Sequence, residues 1–218
     1  MASRLPLFPL NLVLFPGEPL PLHIFEPRYR QLLSDCLEGD QRFGITAVMP
    51  PGPGAVGSVA RIRAAQPLAD GRSNIVVMGE RRFAIRAMLT EETPYPVATV
   101  EEFDDQPGTA PLPQERAQLL ELAEEYRSAI GVLTDNPADD PDWAEGTEAF
   151  TFQVSALADL ELDAKAGLLA TRSTRERTRT LLDLLPPLIR LAQGRAEVHL
   201  RARTNGQGGH GHDIVTGT

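Results

Sequence analysis

The sequence is poor in several residue types on which covalent cross-links and catalytic sites depend. It has one cysteine, Cys36, one lysine, Lys165, and four histidines. A single cysteine excludes an internal disulfide and a cysteine-based metal site, and it favours a reducing, cytoplasmic compartment. No apolar run reaches the roughly 20 residues that span a bilayer. The sequence therefore predicts neither a metal site nor a membrane partner.

Basic charge is also scarce. The formal net charge is −9, and the acidic excess is concentrated in residues 104–163, whereas residues 164–218 are basic overall. These opposite charges favour pairing within the chain. Because phosphate binding requires a basic footprint, the acidic balance argues against nucleic acid as the main partner. The acidic pair Asp104-Asp105 stands close to a proline, which is typical of a solvated loop.

The chain begins with a proline-rich apolar stretch. Residues Leu5–Arg30 contain six prolines among mostly apolar residues. Each proline lacks the N–H that a central strand donates, so this stretch predicts two short, edge-like or bulged strands, Leu5–Leu14 and Leu20–Phe25. Between them, Phe15-Pro16-Gly17 predicts a sharp turn of type II, in which the glycine takes a positive φ.

A helix and a series of strands follow this stretch. Pro27 and Gly39 bound a helix whose apolar residues, from Tyr29 to Leu37, recur at 3.6-residue spacing. Asp70-Gly71 predicts a tight hairpin turn, and Gly79-Glu80 predicts a bend. Turn signals about 8–12 residues apart indicate an antiparallel barrel or sandwich-like unit. The strands after the helix are expected at Arg42–Met49, Gly57–Leu68, Ser73–Met78, Arg81–Leu89 and Pro96–Phe103.

The second half of the chain is predicted to be helical. Asp135–Pro141 is expected to interrupt the helices, and Pro186-Pro187 is expected to kink or break the last one. We divide the chain into a β domain (1–106), a linker (107–113), a helical subdomain (114–203) and a disordered tail (204–218). Four helices are expected: from Gln114, over Trp143–Leu157, over Ala164–Ala170 with Asp163 as the N-cap, and from Ser173 with a capping box to Glu176.

Several motifs follow one another in a fixed order through the first half: Leu5–Leu10, Leu14–Gly17, Leu20–Phe25, Glu26–Arg30, Val56–Ile62 and Gly79–Phe83. This succession resembles a known family, the N-terminal, substrate-binding domain of the ATP-dependent Lon proteases. The resemblance implies an α+β fold: a PUA-like β pseudo-barrel with one early helix, followed by a C-terminal helical bundle subdomain. It also implies a stand-alone bacterial version that lacks the ATPase and peptidase domains.

The catalytic motifs of full Lon enzymes are missing from this sequence. A phosphate-cradling loop of the form GxxxxGK[ST] requires a glycine before its lysine, but Lys165 follows Ala164. A Ser-Lys peptidase dyad would have to pair Lys165 with Ser155 or Ser173, outside any matching motif. We therefore expect that the protein is not an enzyme and that it needs no cofactor.

The leading functional hypothesis is a non-catalytic protein- or peptide-binding module. Its expected partners are unfolded or hydrophobic polypeptide segments and a protease complex for which it would be an adaptor. The apolar residues Phe15, Pro16, Phe25 and Tyr29 are the candidates for this binding. They either belong to the core or line a groove between the β unit and the helices.

The alternatives are an RNA-binding PUA-like module and, with less support, a hydrolase or small-ligand pocket. The RNA alternative depends on a basic cluster that includes Arg172, Arg175 and Arg179. The same cluster could instead be a solvated face or pair with the acidic residues around Glu121–Glu125. The sequence leaves the oligomeric state open, with a homodimer through an exposed strand edge as one alternative.

Overall fold

The computed structural model describes residues 2–134 and 142–206. The predicted interruption at 135–141 and the tail beyond 206 lie outside the described residues. A β unit with one helix comes first, and four helices follow it. The elements are β1 (Ala2–Pro9), β2 (Pro19–Ile24), α1 (Pro27–Glu38), β3 (Arg42–Thr46), β4 (Val56–Pro67), β5 (Ser73–Leu89), β6 (Val97–Phe103), α2 (Pro113–Leu133), α3 (Thr147–Leu157), α4 (Leu162–Ala170) and α5 (Thr174–Gly206).

The β unit is a closed pseudo-barrel with one additional strand. Strands β5, β4, β3, β1 and β6 form a ring, because β5 pairs with both β4 and β6. Strand β2 pairs with the first half of β5, from Ser73 to Met78, and lies at the edge as predicted. Strand β1 is not an edge strand, since it pairs in parallel with β3 and antiparallel with β6. The prediction of a wholly antiparallel unit is therefore wrong at the β1–β3 pair.

The predicted turn after β1 is present and docks against β5. Gly17 has a φ of 80°, and the Glu18 N–H donates to the Phe15 carbonyl over 3.1 Å, as in a type II turn. The Gly17 N–H donates to the carbonyl of Gly79 over 2.8 Å. A Cβ on Gly79 would lie 2.1 Å from the Phe15 carbonyl oxygen. Only glycine therefore permits this contact.

Strand β5 is continuous through Gly79, so the predicted bend does not divide it. Instead the strand changes its neighbour on one side there. Residues up to Met78 pair with β2, and residues from Arg82 onward pair with β6. The turn at Phe15 fills the interval between these two neighbours, because Gly17 and Glu18 exchange backbone hydrogen bonds with Gly79.

Several helix boundaries follow local signals. Helix α1 begins at Pro27 and is followed by Gly39, as predicted. The Ser173 hydroxyl accepts a hydrogen bond from the Glu176 N–H over 3.2 Å, which confirms the cap of α5. One prediction is wrong: Glu161, not Asp163, is the N-cap of α4. Of the kink or break predicted at Pro186-Pro187, the break is absent, because α5 continues through both prolines.

The hydrophobic core has a β part and a helical part, and the chain's beginning contributes to both. Phe8 and Leu14 pack within the barrel together with the buried face of α1. Val13 and Phe15 instead belong to the cluster formed by α2, α3, α4 and α5. The Phe15 ring lies 6.1 Å from the ring of Phe152. No helix in residues 2–134 or 142–206 is long and apolar enough to cross a membrane.

Candidate functional site

A buried ionic network joins the β unit to the helices. The carboxylate of Asp105 accepts hydrogen bonds from Arg82 of β5 over 2.5 Å and from Arg177 of α5 over 2.6 Å. The hydroxyl of Thr174 is a third donor. The side chain of Asp105 is only 6% exposed, and those of both arginines are almost completely buried. The prediction of a solvated loop is therefore wrong for Asp105, although Asp104 is exposed.

Both arginines have further partners that fix their positions. The Arg82 guanidinium donates to the carbonyls of Leu169 and Thr171, and Arg177 donates to the same Thr171 carbonyl. The Arg177 guanidinium also stacks over the ring of Phe152 at 4.0 Å from its centroid. Two units that the sequence separates by a linker are thus connected by charge-assisted hydrogen bonds.

The buried network shifts the pKa values of Asp105, Arg82 and Glu148. Burial alone would raise the pKa of Asp105, but the hydrogen bonds from Arg177 and Thr174 and the two positive charges lower that pKa below its ordinary value. Burial lowers the pKa of Arg82. Burial and the nearby Asp105 charge raise the pKa of Glu148, whose carboxylate lies 3.4 Å from Arg82. Asp105 therefore stays ionised between the two arginines.

An apolar groove lies beside this network, between the barrel and α4. We call it the junction groove; it has a volume of about 230 Å³. Val48, on its rim, is 46% exposed, and the adjacent Met49 is 61% exposed. Exposed apolar side chains around a concave surface mark interaction sites in soluble proteins. The groove is lined by residues 12–14, 45–48 and 54–57 of the β unit and by Ala166, Leu169 and Ala170 of the α4 region.

A second, polar cavity lies next to the junction groove. Val56 and Ala170 line both cavities. This charged cleft has a volume of about 500 Å³. It is lined by Arg81, Arg86, Arg172, Glu101, Glu102, Phe103, Asp104 and Asp105 in addition to small residues.

The four apolar residues predicted to bind polypeptide do not form one surface. Phe15 is fully buried in the helical core, and Tyr29 is buried in the barrel against Phe8, with ring centroids 4.1 Å apart. Pro16 is half-buried. Phe25 is 58% exposed. None of these four residues lines the junction groove, which the chain reaches just before the turn, at residues 12–14.

Phe25 belongs to a separate apolar surface on the outer side of β2. Its ring stacks with that of His23 at 6.1 Å between centroids. His23 lines a shallow depression of about 410 Å³ together with Pro21, Leu22 and residues of β4 and β5. We call this surface the β2 face. It is the place where one of the predicted binding residues is accessible.

Two of the three arginines of the RNA alternative form ion pairs within the protein. Arg175 and Arg179 both donate to the carboxylate of Glu115 at the start of α2. The Leu112 N–H donates to the same carboxylate, and these hydrogen bonds lower the pKa of Glu115 to about 2. The predicted pairing with an acidic helix is therefore present, but at Glu115 rather than around Glu121–Glu125.

The only lysine of the sequence points to a backbone carbonyl. Lys165 Nζ donates to the Ala156 carbonyl over 3.3 Å. The Ser155 hydroxyl donates to the Thr151 carbonyl over 2.7 Å, and the Ser173 hydroxyl serves as the α5 cap. Within residues 2–134 and 142–206, no group of three or more His, Cys, Asp or Glu side chains is placed to hold a metal ion.

Comparison with known proteins identifies relatives over most of the chain. A family described as the ATP-dependent protease La (LON) substrate-binding domain matches residues 4–186. The Lon protease of Cytophaga hutchinsonii is 29% identical over 93% of this chain but only 26% of its own length. Lon protease 2 of Myxococcus xanthus is 28% identical over 83% of this chain and 23% of its own. The chain thus spans about a quarter of these relatives.

Solved structures confirm the fold. The Lon N-terminal domain protein from Xanthomonas campestris superposes with a TM-score of 0.66 at 24% identity, covering 84% of this chain and 99% of that one. The N-terminal domain of the Mycobacterium avium complex Lon protease superposes with a TM-score of 0.61 at 19% identity, covering 83% and 97%. The α+β class, with a PUA-like barrel and a helical C-terminal part, is therefore correct. Since the family match extends over most of its residues, this chain belongs to the ATP-dependent protease La (LON) substrate-binding domain family.

Proposed function

We propose that the protein binds polypeptide segments with exposed apolar side chains and that the junction groove receives them. The observation that carries this proposal is the open apolar groove between barrel and helices, with Val48 exposed on its rim. Burying an apolar side chain in such a groove contributes roughly 25 cal/mol per Å² of surface removed from water. The family's description as a substrate-binding domain supports the same function.

The size of the groove favours side chains of a polypeptide over a complete small ligand. Sites for small molecules usually have about 300–1,000 Å³, whereas the junction groove has about 230 Å³. Two or three aliphatic side chains of an extended segment suit this volume. We propose that binding involves no chemistry by the protein itself and that it presents the bound segment to a protease complex as an adaptor.

Binding can be measured by fluorescence anisotropy with a labelled, amidated peptide that contains three consecutive leucines in a Ser/Gly context. We expect saturable binding to the wild type. Val48→Glu should weaken the peptide affinity about tenfold or more, because a charge at the rim disfavours contact with apolar side chains. A tenfold loss of affinity corresponds to about 1.4 kcal/mol of binding free energy. Absence of saturable binding to the wild type would refute the proposed function.

Phe25→Glu is the matched control, because it places the same charge on a different exposed apolar surface, the β2 face. We expect this variant to bind the peptide within about twofold of the wild type. If Phe25→Glu abolishes binding and Val48→Glu does not, the site is the β2 face and our assignment of the groove is wrong. Casein incubated with the protein, with or without ATP, should remain uncleaved.

A further inference from the structure

Arg172 lines the charged cleft, close in sequence to Ala170, which the cleft shares with the junction groove. It follows α4 by two residues, and Ala170 lines both cavities. Its guanidinium stacks over the Phe103 ring at 5.2 Å from the centroid. Its Nε donates to the Asp104 carbonyl over 3.4 Å, a long hydrogen bond to a neutral acceptor.

The other arginines of this region all have carboxylate partners. Arg81 pairs with Glu102 and Asp104, and Arg86 pairs with Glu101. The buried Arg82 pairs with Asp105. Among the described residues, no carboxylate is placed within salt-bridge distance of Arg172. The planar fork of an arginine fits a carboxylate with two parallel hydrogen bonds, so the side chain is held in place by Phe103 with its outer nitrogens available.

We propose that Arg172 selects polypeptide segments in which an acidic residue, Asp or Glu, directly follows the apolar stretch held in the junction groove. This inference rests on the proposed function and specifies the class of segment. The charged cleft beyond Arg172 offers about 500 Å³, which leaves room for the chain to continue past the contact. The carboxylate is therefore that of a side chain rather than of a chain end.

The cleft walls support an acidic rather than a basic side chain at this point. Glu101, Glu102 and Asp104 each have an arginine partner already, because Arg86 pairs with Glu101 and Arg81 pairs with both Glu102 and Asp104. An acidic side chain can therefore pair with Arg172 without displacing an existing ion pair. A basic side chain there would face Arg172 directly and could pair only by breaking one of those contacts.

The test uses amidated, labelled peptides in which three leucines are followed by Asp, Gln or Lys. For the wild type we expect the Asp peptide to bind about three- to tenfold more tightly than the Gln peptide, as for a partly exposed charge-assisted hydrogen bond, and the Lys peptide to bind most weakly. Arg172→Gln should remove the preference. Arg63→Gln, which removes an exposed charge elsewhere on β4, should retain it. The preference should also decrease with added salt.

The outcomes separate the inference from the proposed function. If the Asp and Gln peptides bind equally and both lose affinity in Val48→Glu, the groove binds polypeptide and the selection by Arg172 is refuted. If an acidic preference survives in Arg172→Gln, another residue causes it and the inference is wrong. If a free C-terminal carboxylate after the leucines is required, the site captures chain ends and the inference is also wrong. If no peptide binds, both proposals fail.

Discussion

At the scale of single residues, Asp105 connects the two halves of the molecule. It is the shared acceptor for Arg82 from the barrel and Arg177 from the last helix. Because each arginine also donates to the Thr171 carbonyl, a change at Asp105 affects the barrel, the end of α4 and the start of α5 together.

Asp105→Asn should lower the free energy of unfolding by about 3–5 kcal/mol, since it leaves two buried guanidinium groups without a countercharge. Urea denaturation followed by circular dichroism measures this change. Asp104→Asn is the matched control: the neighbouring carboxylate is exposed, so its removal should cost less than about 1 kcal/mol. Equal effects of the two substitutions would show that the buried network does not stabilise the fold.

The stability difference between the wild type and Asp105→Asn should depend on pH. The pKa of Asp105 is lowered on folding, so its stabilising contribution is present above the unfolded value of about 3.9 and is lost as pH falls through the folded value. The difference between wild type and Asp105→Asn should therefore be constant near pH 7 and shrink below about pH 4. Glu148 has a raised pKa and acts in the opposite direction, so Glu148→Gln must be measured in parallel.

The sequence could not identify this network. Arg177 stands among Arg172, Arg175 and Arg179, and nothing in its local pattern distinguishes the buried member from the exposed ones. Its partner Asp105 is 72 residues away and has an exposed acidic neighbour. The sequence predicts a groove between the β unit and the helices, but it does not predict which residues line it. Its lining residues, such as Val48 and Ala170, depend on how the two units dock, which local patterns do not encode.

At the scale of elements, the sequence predicts helix boundaries that neighbouring residues determine. Pro27 and Gly39 mark α1, and the Ser173 hydroxyl caps α5. The prediction that prolines restrict a strand to an edge is correct for β2 and wrong for β1, which pairs with both β3 and β6. Within β1, however, Pro6 pairs only with β6 and Pro9 pairs only with β3. Helix α5 continues through Pro186 and Pro187, which lack the N–H groups that would bond to the carbonyls of Leu182 and Asp183. Leu182 is half-buried and Asp183 is exposed, so water can reach the freed carbonyls.

The edge of β2 leads to a prediction about self-association. Pro19 and Pro21 pair with Met78 and Val76 of β5, and neither can donate a hydrogen bond toward the free edge. The wild type should therefore not dimerise through β2. Replacing both prolines by threonine restores two donors and should produce dimers or larger species in size-exclusion chromatography with light scattering. Pro94→Thr with Pro107→Thr, two exposed prolines outside the strands, should leave the elution unchanged.

At the scale of the whole molecule, the β unit contributes residues to the helical core, and an ionic network joins the two parts. Val13 and Phe15 belong to the β unit by sequence but pack among the helices. Arg82 of the barrel is held by carbonyls at the end of α4. These contacts predict that the two parts unfold as one cooperative unit, although the sequence divides them into separate domains at 1–106 and 114–203.

The single tryptophan allows this cooperativity to be measured. Trp143 donates to Glu124 and packs edge-on against Phe150, so its fluorescence reports the helical part. Ile75 is buried in the barrel core, which shares no residue with the helical core. Ile75→Ala should lower the free energy of unfolding by about 2–5 kcal/mol. The decrease measured from Trp143 fluorescence should equal the decrease measured from amide exchange in β5. Val154→Ala, in the helical core, should shift β5 exchange in return. If the Trp143 transition does not move in Ile75→Ala, the two parts unfold independently, and the junction groove is then a surface between separable domains rather than a fixed cavity.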